Sequence, residues 1–146
     1  MLRHATTRKV PLSLREVMDS LPTPAEIFSS APYVEKVENL GDNVVEVVFK
    51  WVKMGVARRY VVRLRWRRAW GGMVYECLEP CKHRLIVKVL MKSSKENESV
   101  LYVRAEMNAG FMASLMGKKD FRDFVEKLAD IITGKVVGKS AVTLAR

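Results

Sequence analysis

Four side chains of the types that acid/base chemistry needs fall on one phase of strand alternation: Tyr60, Tyr75, Cys77 and Glu79. Two phenols, a thiol and a carboxyl could donate hydrogen bonds or move protons at one end of a cavity, provided two of them come within hydrogen-bonding reach. The plainer reading is the stronger one: hydroxyls satisfied near a rim, a small buried thiol and a glutamate at a strand end. Cys77 and Cys81 lack CxxC spacing, and only His4 and His83 could join them as soft ligands. Two ordinary thiols are expected, with a Cys77–Cys81 disulfide or a metal site as the alternatives. There is no GxSxG, HExxH, Walker loop or glycine-rich dinucleotide fingerprint. The sequence therefore assigns no catalytic residue, no metal and no cofactor.

A second constellation is electrostatic. RRYVVRLRWRR, residues 58–68, holds six arginines, and residues 50–70 carry eight Lys or Arg with no Asp or Glu. The formal net charge of the chain is +10. Alternation puts Tyr60, Val62, Leu64 and Trp66 on one face of a strand and Arg59, Arg63, Arg65 and Arg67 on the other. The leading reading is a solvated face paired with carboxylates of neighbouring strands. An acidic membrane surface or acidic partner docking on Arg59, Arg63, Arg65 and Arg67 is the functional alternative. Nucleic acid stands behind both, because the aromatic residues that would stack on bases are predicted to point inward.

The elements that must position these groups follow from periodicity. With 146 residues, 49% of them hydrophobic and 29% charged, the chain is expected to form a single folded unit. No apolar run has the length of a bilayer span or a secretory leader, and a cytoplasmic location is expected. LSLREVMDSL, residues 12–21, has helical spacing, with Ser13 as N-cap and Glu16 three residues on. Thr23 before Pro24 predicts a second short helix over 24–30. From Tyr33 the period becomes two, giving five or six consecutive antiparallel strands to Met107, with turns at Gly41–Asp42, Met54–Gly55 and Gly71–Gly72 and with SSKENES as a hairpin loop. A further short strand is expected near Arg8–Leu12. Phe121, Phe124, Val125, Leu128, Ile131 and Ile132 recur at three and four residues, so a long amphipathic helix is expected over 111–134. Gly117 should kink it near Asp120, and Gly134 should stop it. Residues 1–134 are thus expected to form one domain, followed by a loosely held basic tail, 135–146.

This order, an α+β curved antiparallel sheet wrapped around a long C-terminal helix with two short helices near the N-terminus, resembles the helix-grip superfamily. That group includes the steroidogenic-acute-regulatory-related (START) lipid-transfer domains, birch-pollen-allergen-like proteins and polyketide cyclases. PLSLREVMDSLPTPAEIFSSAPYVEKVENLGDN, the strands to Met107 and DFRDFVEKLADII carry the resemblance, over roughly Lys9 to Gly134. The resemblance implies a small hydrophobic ligand, such as a lipid, fatty acid or polyketide-like molecule, held between sheet and helix. Phase then selects the lining: Phe49 and Trp51; Tyr60, Leu64 and Trp66; Tyr75; Val87 and Val89; Val103 and Met107; and, from the helix, Leu115, Phe121, Phe124 and Leu128. The same residues would equally serve as an ordinary packed core. Binding or transport without chemistry is the expected function. A cyclase, hydratase or hydrolase on the same scaffold, or a basic nucleic-acid-binding module, is the alternative.

Overall fold

The computed structural model describes residues 2–145 except 70, 79, 80, 82, 83, 109 and 110, with side chains left aside at 53, 111–116 and 142–145. Alternating apolar and charged residues produce strands with one dry and one wet face. These are β1 (Leu2–Val10), β2 (Val34–Gly41), β3 (Val44–Lys53), β4 (Val56–Ala69), β5 (Gly72–Cys77), β6 (Leu85–Lys95) and β7 (Glu98–Met107). Helices α1 (Leu14–Asp19) and α2 (Pro24–Phe28) link β1 to β2, and α3 (Phe111–Ala145) follows β7.

Among the described residues the strands form one antiparallel sheet in the order β1-β7-β6-β5-β4-β3-β2. Two hairpins close on pairs of left-handed residues, Asp42–Asn43 (φ 51° and 62°) and Met54–Gly55 (φ 53° and 77°), the conformation whose twist matches paired strands. Leu2 pairs with Met107, Met107 with Leu85, and Ile86 with Glu76. The start of β1, the end of β7, the β5–β6 connection and the β3–β4 turn therefore lie at one end of the sheet.

The inner face of the sheet is covered by α3 and the two short helices. Phe124 meets Phe49 edge-on at 5.8 Å, and Phe28 of α2 meets Tyr75 at 5.4 Å. Arg8 fastens β1 to α3: its Nε donates to Asp130 Oδ1 at 2.9 Å and its Nη2 to Glu126 Oε2 at 3.1 Å. Ser13 with Glu16 and Thr23 with Glu26 form reciprocal capping boxes, which fix where α1 and α2 begin.

Three expectations need revision. The first strand is longer and earlier than the segment near Arg8–Leu12. Its polar residues Arg3, Thr6 and Thr7 obscure an alternating pattern whose inward residues are half-buried as far as Val10, and only by packing on β7 and α3. Gly117 does break the last helix, with φ 69° and ψ 168°. Gly134 does not end it, because α3 continues to Ala145, burying Val136 and Ser140. Lys139 then donates to Glu26 Oε1 at 2.8 Å, which ties this basic segment to α2. Finally, Cys77 and Cys81 are joined as a disulfide, with Cα atoms 6.2 Å apart, in place of two ordinary thiols. A separation of four along the chain neither requires nor forbids that pairing.

The Lys139 contact has a pH signature. The hydrogen bond from Lys139, helped by the Thr23 cap, draws the Glu26 carboxyl from 4.5 down to about 2. A carboxyl whose folded pKa is depressed stabilises the fold above its ordinary value, and that contribution disappears as pH falls through the folded one. Thermal melts should therefore show stability lost between pH 4.5 and about 2. Glu26→Gln should melt lower than the wild type at neutral pH and show a shallower loss across that window.

Candidate functional site

The dry side of the sheet gathers the residues that strand phase selects. Phe49, Leu64, Tyr75, Val87, Val89, Val103 and Met107 are buried in one contiguous cluster, which Phe121, Phe124 and Leu128 of α3 complete. Trp51 is 6% exposed, and Tyr60 and Trp66 are half-buried against the cluster. The side chain of Leu115 lies outside the described residues, as does Glu79. Of the four groups considered for acid/base work, Cys77 is taken up by the disulfide. Tyr60 and Tyr75 remain on the inner face.

Two residues without a periodic signal complete the interior. Phe28 lies at the end of a five-residue helix, and Tyr33 sits at φ 67° between Pro32 and β2. Tyr33 stacks on Trp51 at 5.1 Å, and Trp51 in turn stacks on Phe49 at 5.6 Å. Burial first, then the charge and hydrogen bond of Asp120, hold the Tyr33 phenol above its ordinary pKa. Tyr33 thus joins the hairpin end of β3 to the start of α3 after the Gly117 break. Pro32 before it is the sequence hint.

Polar atoms inside the cluster are few. Among the described residues the hydroxyl of Tyr75 and Nε1 of Trp51 are buried without a hydrogen-bond partner. A buried donor left unpaired costs about 1–3 kcal/mol, so such groups call for an occupant or a reason. Burial alone pushes the Tyr75 phenol up, which keeps it protonated and makes it a hydrogen-bond donor, not a base, at neutral pH. Tyr75 pairs with Trp66, whereas Trp51 pairs with Arg58. Eight positions of β4 separate the two donors, roughly 26 Å along an extended strand.

At the end where β1 starts, a cleft of about 700 Å³ opens between β1 and α3. Leu2 and Phe121 give it apolar walls, while Arg3, His4, Lys118, Lys119 and Arg122 make it basic. Phe121 belongs to both the cleft and the buried cluster. On the wet face, three of the four ladder arginines meet carboxylates: Arg59 with Glu35 at 2.7 Å, Arg63 with Glu46 at 3.1 Å and Arg67 with Glu76 at 3.2 Å. Such exposed pairs contribute little stability each, and they use much of the charge that a nucleic-acid surface would need.

Sheet order, the covering helix and the two short helices together decide the architecture. The chain has the helix-grip fold. Among solved structures, a conserved protein from Geobacillus kaustophilus superposes with TM-score 0.67 at 11% identity, covering 97% of each chain. A START superfamily protein from Mycobacterium smegmatis gives 0.64 at 13% identity, covering 93% of this helix-grip chain and 97% of its own. The Zhui aromatase/cyclase of a Streptomyces species gives 0.55 at 16%, with 95% and 93% covered. No protein-family model and no curated protein matches the sequence. At such identities the helix-grip likeness is one of backbone, and function must be argued from the side chains of this chain.

Proposed function

We propose that this helix-grip protein binds a small hydrophobic ligand between the sheet and α3, with the ligand accepting a hydrogen bond from Tyr75. The observation that carries the reading is the Tyr75 hydroxyl, fully buried, protonated and unpartnered in a shell of Phe28, Trp66 and Val87. An interior meant only to be filled would be better served by phenylalanine there, since the hydroxyl adds a desolvation cost and returns nothing. A ligand carbonyl, ester or carboxyl oxygen reaching Tyr75 removes that cost. The similarity to START and aromatase/cyclase structures supports ligand binding as the class. The reading assigns binding and no chemical step.

Native mass spectrometry of the purified protein, followed by organic extraction, tests it. A stoichiometric hydrophobic molecule bearing an oxygen acceptor is expected. Tyr75→Phe should keep the fold and retain that molecule about five- to tenfold less well, the size of one buried hydrogen bond. An empty wild-type protein, together with a Tyr75→Phe variant that melts higher, would show that the hydroxyl is merely a defect of a packed core.

A further inference from the structure

We infer that the β3–β4 hairpin tip docks on an anionic lipid surface. Its tip carries an exposed methionine: Met54 is 96% exposed, flanked by Val52 at 67% and Val56 at 49%. Apolar residues that large at a turn tip serve neither the hairpin nor the core, since Asn-Gly or Asp-Gly would close the same turn.

The arm also projects. Among the described residues β4 pairs with β5 only from Leu64 to Ala69, with one further bond from Leu78 N to Arg63 O. On the other side β2 pairs with β3 no further than Phe49, with Lys50 N bonded to Tyr33 O. Among the described residues the ribbon from Trp51 to Arg58 is therefore two strands wide, its backbone paired only with itself. An exposed apolar tip of Val52, Met54 and Val56 suits a fluid interface, into which it can sink, better than a rigid protein groove of fixed shape.

Charge selects the kind of lipid. Lys50, Arg58 and Arg59 rise behind the tip, with Glu35 bonded to Arg59 and within electrostatic reach of Lys50. The Tyr33 bridge from Trp51 to Asp120 sets the hairpin beside the first turn after Gly117, where Lys118 and Lys119 are exposed. The carboxylates of that turn, Asp120 and Asp123, face the Tyr33 phenol. An apolar point backed by cations is the pattern that binds lipid headgroups of negative charge. The whole chain, at +10, adds attraction of the same sign. This inference does not depend on what the interior holds.

Sedimentation of the full chain with phosphatidylcholine vesicles, with and without phosphatidylglycerol, tests it. Binding is expected to the anionic vesicles, weak on the neutral ones and falling as salt is added. Met54→Asp should weaken it about tenfold or more by removing the inserted apolar tip, and Arg58→Glu should weaken it about fivefold or more. Both positions are exposed, so both variants should melt with the wild type. Met54→Trp should bind as well as the wild type and show a blue-shifted emission on anionic vesicles alone. Equal binding of Met54→Asp and wild type, or equal binding to both lipids, overturns the inference. So does a dimer that Met54→Asp abolishes in a protein indifferent to vesicles, which would give the tip to a second copy.

Discussion

Phe124→Ala is expected to lower the free energy of unfolding by about 4 kcal/mol, the usual cost of deleting a fully buried aromatic ring and leaving a void. Phe124 is 0% exposed, sits on the face of α3 that meets the sheet, and packs edge-on against Phe49. Domains of this size have only about 5–15 kcal/mol in total, so the urea midpoint should fall by a large fraction of its value. Asp123→Ala, one residue away and exposed, is the control and should stay within about 0.5 kcal/mol. Because Phe124 also lines the proposed ligand space, the variant should hold its ligand more weakly, and added ligand should stabilise it less than it stabilises the wild type. A change below about 1 kcal/mol would mean that the helix is not clamped on the sheet at this point.

The second large effect comes from backbone, not side chain. Gly72 opens β5 directly against β6, and a Cβ placed there would overlap the Val89 carbonyl and crowd Leu90 Cα at 2.9 Å. No rotamer can relieve a clash with main chain, so the two strands would have to separate where Gly72 and Leu90 pair. Gly72→Ala should cost about 3 kcal/mol, at the upper end for overpacking. Gly134→Ala is the informative comparison. Nothing lies within 4 Å of its would-be Cβ, and it sits mid-helix, so alanine should stabilise by about 1 kcal/mol. Chemical denaturation of the two variants side by side reads both signs.

Strands were the most legible elements because alternation is a property of neighbouring residues: Val45, Val47, Phe49 and Trp51 declare a face without knowledge of any partner. The capping residues Ser13 and Thr23 were legible for the same local reason. What escaped was decided at a distance. The inner face of β1 is covered by α3, more than a hundred residues later, and held there by the Arg8 contacts to Glu126 and Asp130. Gly134 looked like a stop because glycine usually takes the left-handed cap position, yet Val136 and Lys139 find partners beyond it and the helix is held through. The buried cluster on the inner face was legible as a phase. The lone Tyr75 hydroxyl and the Tyr33–Trp51 stack were not, because both depend on what packs above the sheet.

The place of β1 in the sheet sets an order of events during synthesis. Strands β2 to β7 pair with their neighbours in the chain and can form as each emerges from the ribosome. The first strand cannot do so, because Val10 meets Ser99 and Leu2 meets Met107. On the order of a hundred residues must leave the exit tunnel before it finds its edge, a long-range closure of the kind that slows folding. Its other support, α3, is made later still. The strand that precedes all the others of the sheet is thus among the last to dock, and until it does the dry face of a nearly finished sheet stands open to whatever hydrophobic molecule, or chaperone, reaches it first.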